Sequence, residues 1–325
     1  MTGETFHIGV DLGGTNIKFA LIDAAGVVIK RKTVPSEAHE GHDAVLGRMI
    51  DGAREIARVA PASGAVTSIG AAVPGVIDMD TGLVKFLPNL PGQWPGVEVG
   101  KPMRQATGLP TFLINDVRAF TVAELELGAA KGATTALCYA IGTGIGGGVV
   151  AHGQVNLGVG GAGGELGHMV VNVDGPRCGC GNRGCAEAYA SGPSITAEAN
   201  RRILQGFTTI LGDLVGQDLN KMSPAVVERA AEAGDEVAIE VLEWAGLHLG
   251  LAVASAIAAL APEVVVIGGG NVKPGGVFWN AIEATARANC HVTEVDRIAF
   301  RPAALGYDAG VIGAALWGMK RAASR

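Results

Sequence analysis

One pattern, a β-strand followed by a tight glycine turn and a second β-strand, constrains the fold most because it occurs twice. The first copy covers residues 7–23, HIGVDLGGTNIKFALID, where Ile17, Phe19 and Leu21 alternate with polar or small residues. The second copy covers residues 134–155, TTALCYAIGTGIGGGVVAHGQV, about 130 residues later. Alternation beside a glycine turn predicts an antiparallel hairpin. Two copies of one hairpin predict a duplicated α/β fold.

The common nucleotide-binding motifs do not explain the glycine turns, although residues 142–147, GTGIGG, can be written as GxGxxG. A Walker loop requires GxxxxGK[ST], and a dinucleotide-binding turn opens a helix, whereas each turn here leads into a strand. The backbone N–H groups of such turns can still hold phosphate. Both turns are therefore candidate phosphate sites, and an ordinary hairpin turn is the alternative.

Residues 165–191, ELGHMVVNVDGPRCGCGNRGCAEAYAS, are rich in metal-binding side chains. His168, Cys178, Cys180 and Cys185 provide one imidazole and three thiols, the ligand set of a closed structural zinc site. The CxC pair and its distance to the third cysteine depart from the usual C-x₂₋₄-C spacing. The sequence thus predicts structural Zn²⁺, with three reduced thiols in a flexible loop as the alternative.

Composition limits the compartment and the partners. Five cysteines in 325 residues, behind an N-terminus without the basic region of a signal peptide, indicate the reducing cytoplasm. The net charge is −6 and the 25 Lys and Arg residues are scattered, so no nucleic-acid partner is expected. Residues 244–262 carry no charge but are only mildly apolar and run into a β-branched strand. They predict a core helix, and no membrane partner is expected.

The remaining pattern alternates helices and strands. Strands are predicted at 68–78, 111–116 and 263–271, and helices at 42–59, 117–128, 195–205, 224–233, 236–260 and within 306–325. Asp116 lies at a strand-to-helix junction, where capping the helix N-terminus is the ordinary role of an aspartate. Glu165 and Glu187 flank the predicted metal ligands, and carboxylates accept hydrogen bonds from polyol hydroxyls.

ELGH followed by CGCGNRGCAEAYAS resembles the motif of the ROK family of bacterial sugar kinases and repressors. The resemblance runs from Gly9 to about Trp317 and is strongest to the glucokinase branch. It implies an actin-like, ribonuclease H-like duplicated α/β fold of two lobes with a cleft between them. In that fold, residues 1–118 form the small lobe, completed by helix 308–325, and residues 119–307 form the large lobe with the zinc loop.

The resemblance also implies phosphoryl transfer from ATP to a hexose, with Asp116 as the general base and Asp11 holding Mg²⁺ through water. The implied sugar ligands are Gly75, Asn89, Asn115, Asp116, Glu165, His168 and Glu187. The implied nucleotide-binding residues are Asp11, Gly13, Gly14, Thr15, Gly142, Thr143, Gly144 and Gly269. The zinc ligands are His168, Cys178, Cys180 and Cys185.

Glucose is the expected substrate, since adjacent ring hydroxyls suit the neighbouring Glu165, His168 and Glu187. N-acetylmannosamine, fructose and allose are alternatives within the family, and polyphosphate is an alternative donor. ROK repressors carry a winged helix before the first hairpin, and only eight residues precede Gly9 here, so repressor function is not expected. The family resemblance implies a homodimer or homotetramer.

Overall fold

A computed structural model describes residues 4–87 and 90–324, which form two compact units. Unit 1 contains the described parts of Met1–Gly132, Gly153–Gly164 and Ala304–Arg325, and unit 2 contains Ala133–His152 and Glu165–Ala303. The functional lobe boundaries implied by the family resemblance, 1–118 with 308–325 and 119–307, remain a prediction.

The chain mixes strands and helices throughout, in agreement with the predicted α/β class. In chain order, the strands are β1 (Glu4–Leu12), β2 (Asn16–Asp23), β3 (Val28–Pro35), β4 (Gly64–Val73), β5 (Val76–Asp78), β6 (Leu83–Phe86), β7 (Thr111–Asn115), β8 (Ala136–Ile141), β9 (Ile145–Ala151), β10 (Gln154–Val155), β11 (Val264–Gly268) and β12 (Ala299–Pro302). The helices are α1 (His42–Ala57), α2 (Gly100–Thr107), α3 (Asp116–Glu126), α4 (Glu187–Ala190), α5 (Gly192–Leu204), α6 (Leu211–Leu214), α7 (Pro224–Glu232), α8 (Glu236–Leu260), α9 (Val277–Ala288) and α10 (Ala309–Ala323).

Both main sheets follow one plan, as the duplicated pattern predicts. In unit 1 the order is β3-β2-β1-β4-β7, with β1 antiparallel to β2 and parallel to β4. In unit 2 the order is β9-β8-β11-β12, with β8 antiparallel to β9 and parallel to β11. Each predicted hairpin therefore opens a sheet that continues with parallel strands.

The helix α10 packs directly on the unit 1 sheet because two strands carry glycine where it crosses them. A Cβ atom on Gly9 would lie 1.9 Å from Val311 O, and one on Gly70 would lie 1.7 Å from Ala314 O. Neither position can accept a side chain without moving the helix. The C-terminal helix is thus part of the unit 1 core, beside the strands that lead to the first glycine turn.

The helix α8 has the bounds predicted from sequence and forms the centre of unit 2. Within the described ranges it is the one helix that is long and apolar enough to cross a membrane. Its side chains Val241, Leu249 and Ile257 are buried in the main hydrophobic cluster of unit 2. Such burial is typical of the core helix of a soluble protein, as the sequence predicted.

One predicted strand is two strands in the structure. The prediction joined residues 68–78, whereas β4 ends at Val73 and β5 begins at Val76. Gly75 lies between them with φ of 78°, a value that favours glycine and breaks the extended backbone. The break turns the Gly75 carbonyl toward the end of β7, where it takes part in the candidate site.

Candidate active site

The first glycine turn (Gly13–Thr15) follows Asp11 near the end of β1. The Asp11 side chain is 14% exposed, and its Oδ2 lies 3.6 Å from Lys18 Nζ. Burial raises the pKa of Asp11, and the Lys18 ammonium opposes this shift. The turn is closed by the Gly13 N–H, which donates to Asn16 O at 2.9 Å. Gly14 and Thr15 are exposed, so the turn is accessible to a ligand.

Asn115 and Asp116 divide two roles at the junction of β7 and α3. Asn115 Oδ1 accepts from the backbone N–H groups of Val117 at 3.0 Å and Arg118 at 3.2 Å, which makes Asn115 the N-cap. Asn115 Nδ2 donates to Gly75 O at 2.9 Å. The ordinary capping role weighed for Asp116 thus belongs to Asn115. Asp116 is the first helical residue, and its Oδ1 accepts from Val117 N at 2.9 Å.

The structure therefore brings together three of the predicted sugar ligands in unit 1, Gly75, Asn115 and Asp116. A fourth, Asn89, lies outside the described residues. Asn115 is buried, and Asp116 is half-buried. A half-buried carboxylate beside a helix N-terminus can exchange a proton with a bound hydroxyl, which is the chemistry a general base requires.

The second glycine turn (Gly142–Gly144) joins β8 to β9 in unit 2. Glu187 Oε2 accepts from Ile145 N at 2.8 Å, directly after the turn. A Cβ atom on Gly144 would lie 2.5 Å from that oxygen, so glycine is required for this contact. On the other side, Asn271 Nδ2 donates to Gly142 O at 2.8 Å. Thr143, at the tip of the turn, is exposed.

Gly269, which is predicted to lie near the adenosine, follows β11 and lies next to the second glycine turn. Its φ is 111°, and a Cβ atom there would lie 2.1 Å from Ile141 O, so the backbone approach requires glycine. The chain then runs along a cavity of about 210 Å³ that is lined by residues of α7 and by residues 270–273. Asn271 lines this cavity and also contacts the turn, so phosphate groups and the remainder of a nucleotide could be held side by side.

The four predicted zinc ligands converge in unit 2. Their ligand atoms all lie within 4.8 Å of one another, with Cys178 Sγ 3.6 Å from His168 Nδ1 and Cys180 Sγ 3.7 Å from Cys185 Sγ. Tetrahedral zinc with Zn–S of ~2.3 Å and Zn–N of ~2.0–2.1 Å separates sulfur from nitrogen by roughly 3.6 Å and two sulfurs by roughly 3.8 Å. The donor set fits that metal in identity and in spacing.

Two thiols of this cluster, those of Cys178 and Cys185, resist ionisation unless a cation is bound. Burial raises the pKa of Cys178 to about 12 and also raises that of Cys185. A thiol with such a pKa remains protonated at neutral pH, whereas zinc binds thiolates and releases their protons. A bound metal would therefore supply the positive charge that the buried sulfurs need.

His168 connects the metal cluster to two carboxylates. Its Nδ1 faces Cys178 Sγ, and its Nε2 lies 3.8 Å from Glu165 Oε2. Glu187 Oε1 lies 3.9 Å from His168 Nδ1 and accepts a hydrogen bond from Cys178 Sγ at 3.5 Å. The predicted sugar ligands of unit 2 thus form one group around the metal ligands. The contact of Glu187 with the second glycine turn, 42 residues away in sequence, is the feature that the sequence did not reveal.

The model of the ROK family matches residues 7–321 of this chain. The chain belongs to the ROK family. It is 34% identical to the glucokinase of Thermotoga maritima over 308 residues, which are 95% of each chain. It is 32% identical to the N-acetylmannosamine kinase of Escherichia coli over 310 residues, 95% of this chain and 97% of the relative. It also resembles the crystal structure of a ROK family glucokinase from Streptomyces griseus in complex with glucose and AMPPNP, with a TM-score of 0.80, 28% identity, and coverage of 97% of this chain and 99% of that one.

These matches confirm the predicted family, the duplicated actin-like fold class and the enzyme class of an ATP-dependent sugar kinase. The His168, Cys178, Cys180 and Cys185 cluster fits the zinc motif predicted for that family. The two curated relatives differ by only two percentage points in identity yet act on different sugars, so identity alone does not fix the substrate.

Proposed function

We propose that this ROK-family enzyme transfers the γ-phosphoryl group of ATP to O6 of glucose. The observation that carries the proposal is the division of roles at the start of α3. Asn115 caps the helix, and the acceptor that Asp116 Oδ1 provides for the Val117 N–H could equally come from an asparagine. An aspartate is then best explained by proton transfer, which an asparagine could not perform. Asp116 would accept the proton of the attacking hydroxyl.

The predicted sugar ligands are hydrogen-bonding groups, and Asn89 is one of them. In unit 1 the described ligands are Gly75, Asn115 and Asp116. In unit 2 they are Glu165, His168 and Glu187. The grouping of two carboxylates with one imidazole supports recognition of hydroxyls on adjacent ring carbons. Glucose presents such hydroxyls, whereas N-acetylmannosamine replaces one of them with a bulkier acetamido group.

The predicted phosphate ligands of ATP are residues of the glycine turns, namely Gly13, Gly14 and Thr15 in the first turn and Gly142, Thr143 and Gly144 in the second. Gly269 and the cavity next to it would take the adenosine. Asp11 offers one carboxylate, and Mg²⁺ typically uses one or two carboxylates together with phosphate and water. Mg²⁺ would be held there through water and would supply positive charge beside the phosphates. Charge stabilisation and positioning dominate phosphoryl-transfer catalysis.

Zn²⁺ would have a structural role, because four protein ligands leave no open coordination position. His168 would bind the metal through Nδ1 and keep Nε2 for the sugar. Metal binding at one ring nitrogen fixes the tautomer and the angle of the other. The bound metal would thus orient His168, one of the proposed sugar ligands.

The test is a coupled assay of phosphoryl transfer to glucose, N-acetylmannosamine, fructose and allose, with ATP and with polyphosphate as donors. We expect glucose with ATP to give the highest kcat/KM. A higher kcat/KM for N-acetylmannosamine would overturn the assignment of glucose as substrate but not the assignment of the protein as a sugar kinase. If no sugar is phosphorylated from either donor, the proposed function is wrong. Cytoplasmic location and a homodimer or homotetramer remain predictions beside it.

A further inference from the structure

Ser36 is a buried polar residue that none of the predicted roles explains. It follows β3 and is 1% exposed, although serine is mostly found on protein surfaces. Its hydroxyl donates to Gly14 O at 2.7 Å, and its backbone N–H donates to Thr15 O at 2.8 Å. Ser36 therefore binds two successive carbonyl groups of the first glycine turn.

These contacts decide which way the turn presents its N–H groups. In a planar trans peptide the C=O and the following N–H point in opposite directions. Because the Gly14 and Thr15 carbonyls point toward Ser36, the N–H groups of Thr15 and Asn16 point away from it. Gly14 and Thr15 are exposed, and N–H groups directed outward from such a turn attract anions.

Contacts outside the turn fix the position of Ser36. Arg48 Nη1 donates to Ser36 O at 3.3 Å, and the guanidinium of Arg48 is ion-paired with Glu40. The next residue, Glu37, has φ of 45° and ψ of 46°, a left-handed conformation that is costly for a residue with a side chain. A backbone held in that conformation needs support from surrounding contacts, and functional sites are where such strain is retained.

We propose that Ser36 is a positioning residue for the phosphoryl donor, which holds the first glycine turn with its N–H groups directed toward the phosphates. The inference rests on the proposed function, because it takes the first glycine turn as a phosphate site. Ser36 does not touch the nucleotide itself. It acts by preventing the Gly14 and Thr15 peptides from rotating, so that their N–H groups need no reorganisation when phosphate binds.

The test compares Ser36→Ala with Ser36→Thr, which keeps the hydroxyl, and with Ser68→Ala as a matched control. Ser68 is equally buried in unit 1, and its hydroxyl contacts His7 rather than the turn. Affinity for AMPPNP is measured by calorimetry, and the KM values for ATP and for sugar are measured separately. Ser36→Ala removes the donor that holds Gly14 O, so the turn can reorient when no nucleotide is bound. We expect a roughly tenfold higher Kd and KM for the nucleotide in Ser36→Ala.

The KM for sugar should change less than twofold in Ser36→Ala, and Ser36→Thr should bind nucleotide within threefold of the parent. Equal losses of nucleotide affinity in Ser36→Ala and Ser68→Ala would show general destabilisation and overturn the inference. Unchanged nucleotide affinity in Ser36→Ala would also overturn it. A parent protein that binds no AMPPNP would instead overturn the proposed function, so the two failures are distinguishable.

Discussion

The two glycine turns occupy equivalent places in the two sheets but are supported by different means. In unit 1 the eight-residue strand β3 ends beside the first glycine turn, and Ser36, the next residue, binds the turn carbonyls. The strand that follows β9 in the chain, β10, belongs to unit 1 and has only two residues. Glu187 and Asn271 support the second glycine turn instead.

This difference shows that two equivalent backbone turns can be held by side chains with different further contacts. Among the described residues, Ser36 forms hydrogen bonds with Gly14, Thr15 and Arg48, so it should influence the phosphoryl donor alone. Glu187 contacts the turn, lies beside His168 and is adjacent to the predicted zinc ligands. A change at Ser36 in unit 1 should therefore affect binding of the phosphoryl donor alone. A change at Glu187 in unit 2 should affect binding of both donor and sugar. Three predictions test that contrast, and a fourth concerns the stability of unit 1.

The largest effect is expected for Asp116→Asn in unit 1. Asn115 already caps α3, so the variant should fold normally and bind sugar. Loss of a general base typically lowers the rate ~10²–10⁴-fold. Glu126→Gln, at the other end of the same helix, is the control and should keep full activity. Activity of Asp116→Asn within threefold of the parent would show that Asp116 is not the base.

The next effect is expected for Cys180→Ser in unit 2, which removes one zinc ligand. We expect less than one zinc per chain and a KM for sugar raised roughly tenfold or more, since changes around metal ligands typically cost ~10–100-fold in affinity or activity. The KM for ATP should change less. Elemental analysis and sugar titration measure both quantities.

Cys290→Ser is the matched control for the zinc experiment. Cys290 also lies in unit 2 but outside the metal cluster. Unlike the exposed Cys180 it is buried, with its Sγ directed at Ala254 O. Its variant should keep both zinc and sugar affinity. A parent protein purified without chelator that contains no zinc would contradict the metal site. A zinc-free Cys180→Ser protein with parental sugar affinity would contradict the link between metal and sugar.

A smaller effect, on both substrates, is expected for Glu187→Ala. The change leaves the Ile145 N–H without its acceptor and removes a proposed sugar ligand. An unpaired buried donor costs ~1–3 kcal/mol, so the KM values for ATP and for sugar should each rise about fivefold or more. Glu187→Gln keeps an acceptor oxygen for Ile145 N–H and should restore the KM for ATP but not that for sugar. If Glu187→Ala changed only the KM for sugar, the linkage in unit 2 would be refuted.

The smallest effect concerns stability and arises in β1 of unit 1. Burial lowers the pKa of His7, whose Nδ1 contacts Ser68 Oγ at 2.8 Å. Below its ordinary value of about 6.5, the unfolded state binds a proton that the folded state does not, so the free energy of unfolding falls as the pH falls. The loss is at most ~1.4 kcal/mol per pH unit.

Urea unfolding of the parent, of His7→Asn and of the control His39→Asn between pH 7.5 and 5 measures this contribution. His39→Asn is the control because His39 is an exposed histidine of unit 1. His7→Asn should show a flatter decline in stability below pH 6.5 than the parent. Identical slopes in the parent and in His7→Asn would show that His7 does not titrate differently in the folded state.

Sequence reasoning predicted the features that depend on neighbouring residues. The hairpins followed from alternation around a glycine turn, and α8 was predicted with its observed bounds. Other elements were missed or merged for local reasons. The helices α2 and α9 were not predicted, and a single strand was expected at 68–78 because the alternation continues past Gly75.

The sequence by itself determined which chemical groups this protein has and where its hairpins lie. Four zinc ligands fall within 18 residues of one another, so their identity could be recognised without a structure. Only the tertiary structure decided which side chains support the two glycine turns. Ser36 meets Gly14 across 22 residues, Glu187 meets Ile145 across 42, and Asn271 meets Gly142 across 129. Such contacts form only when segments far apart in sequence pack within hydrogen-bonding distance. Local residue patterns carry no information on which segments do so.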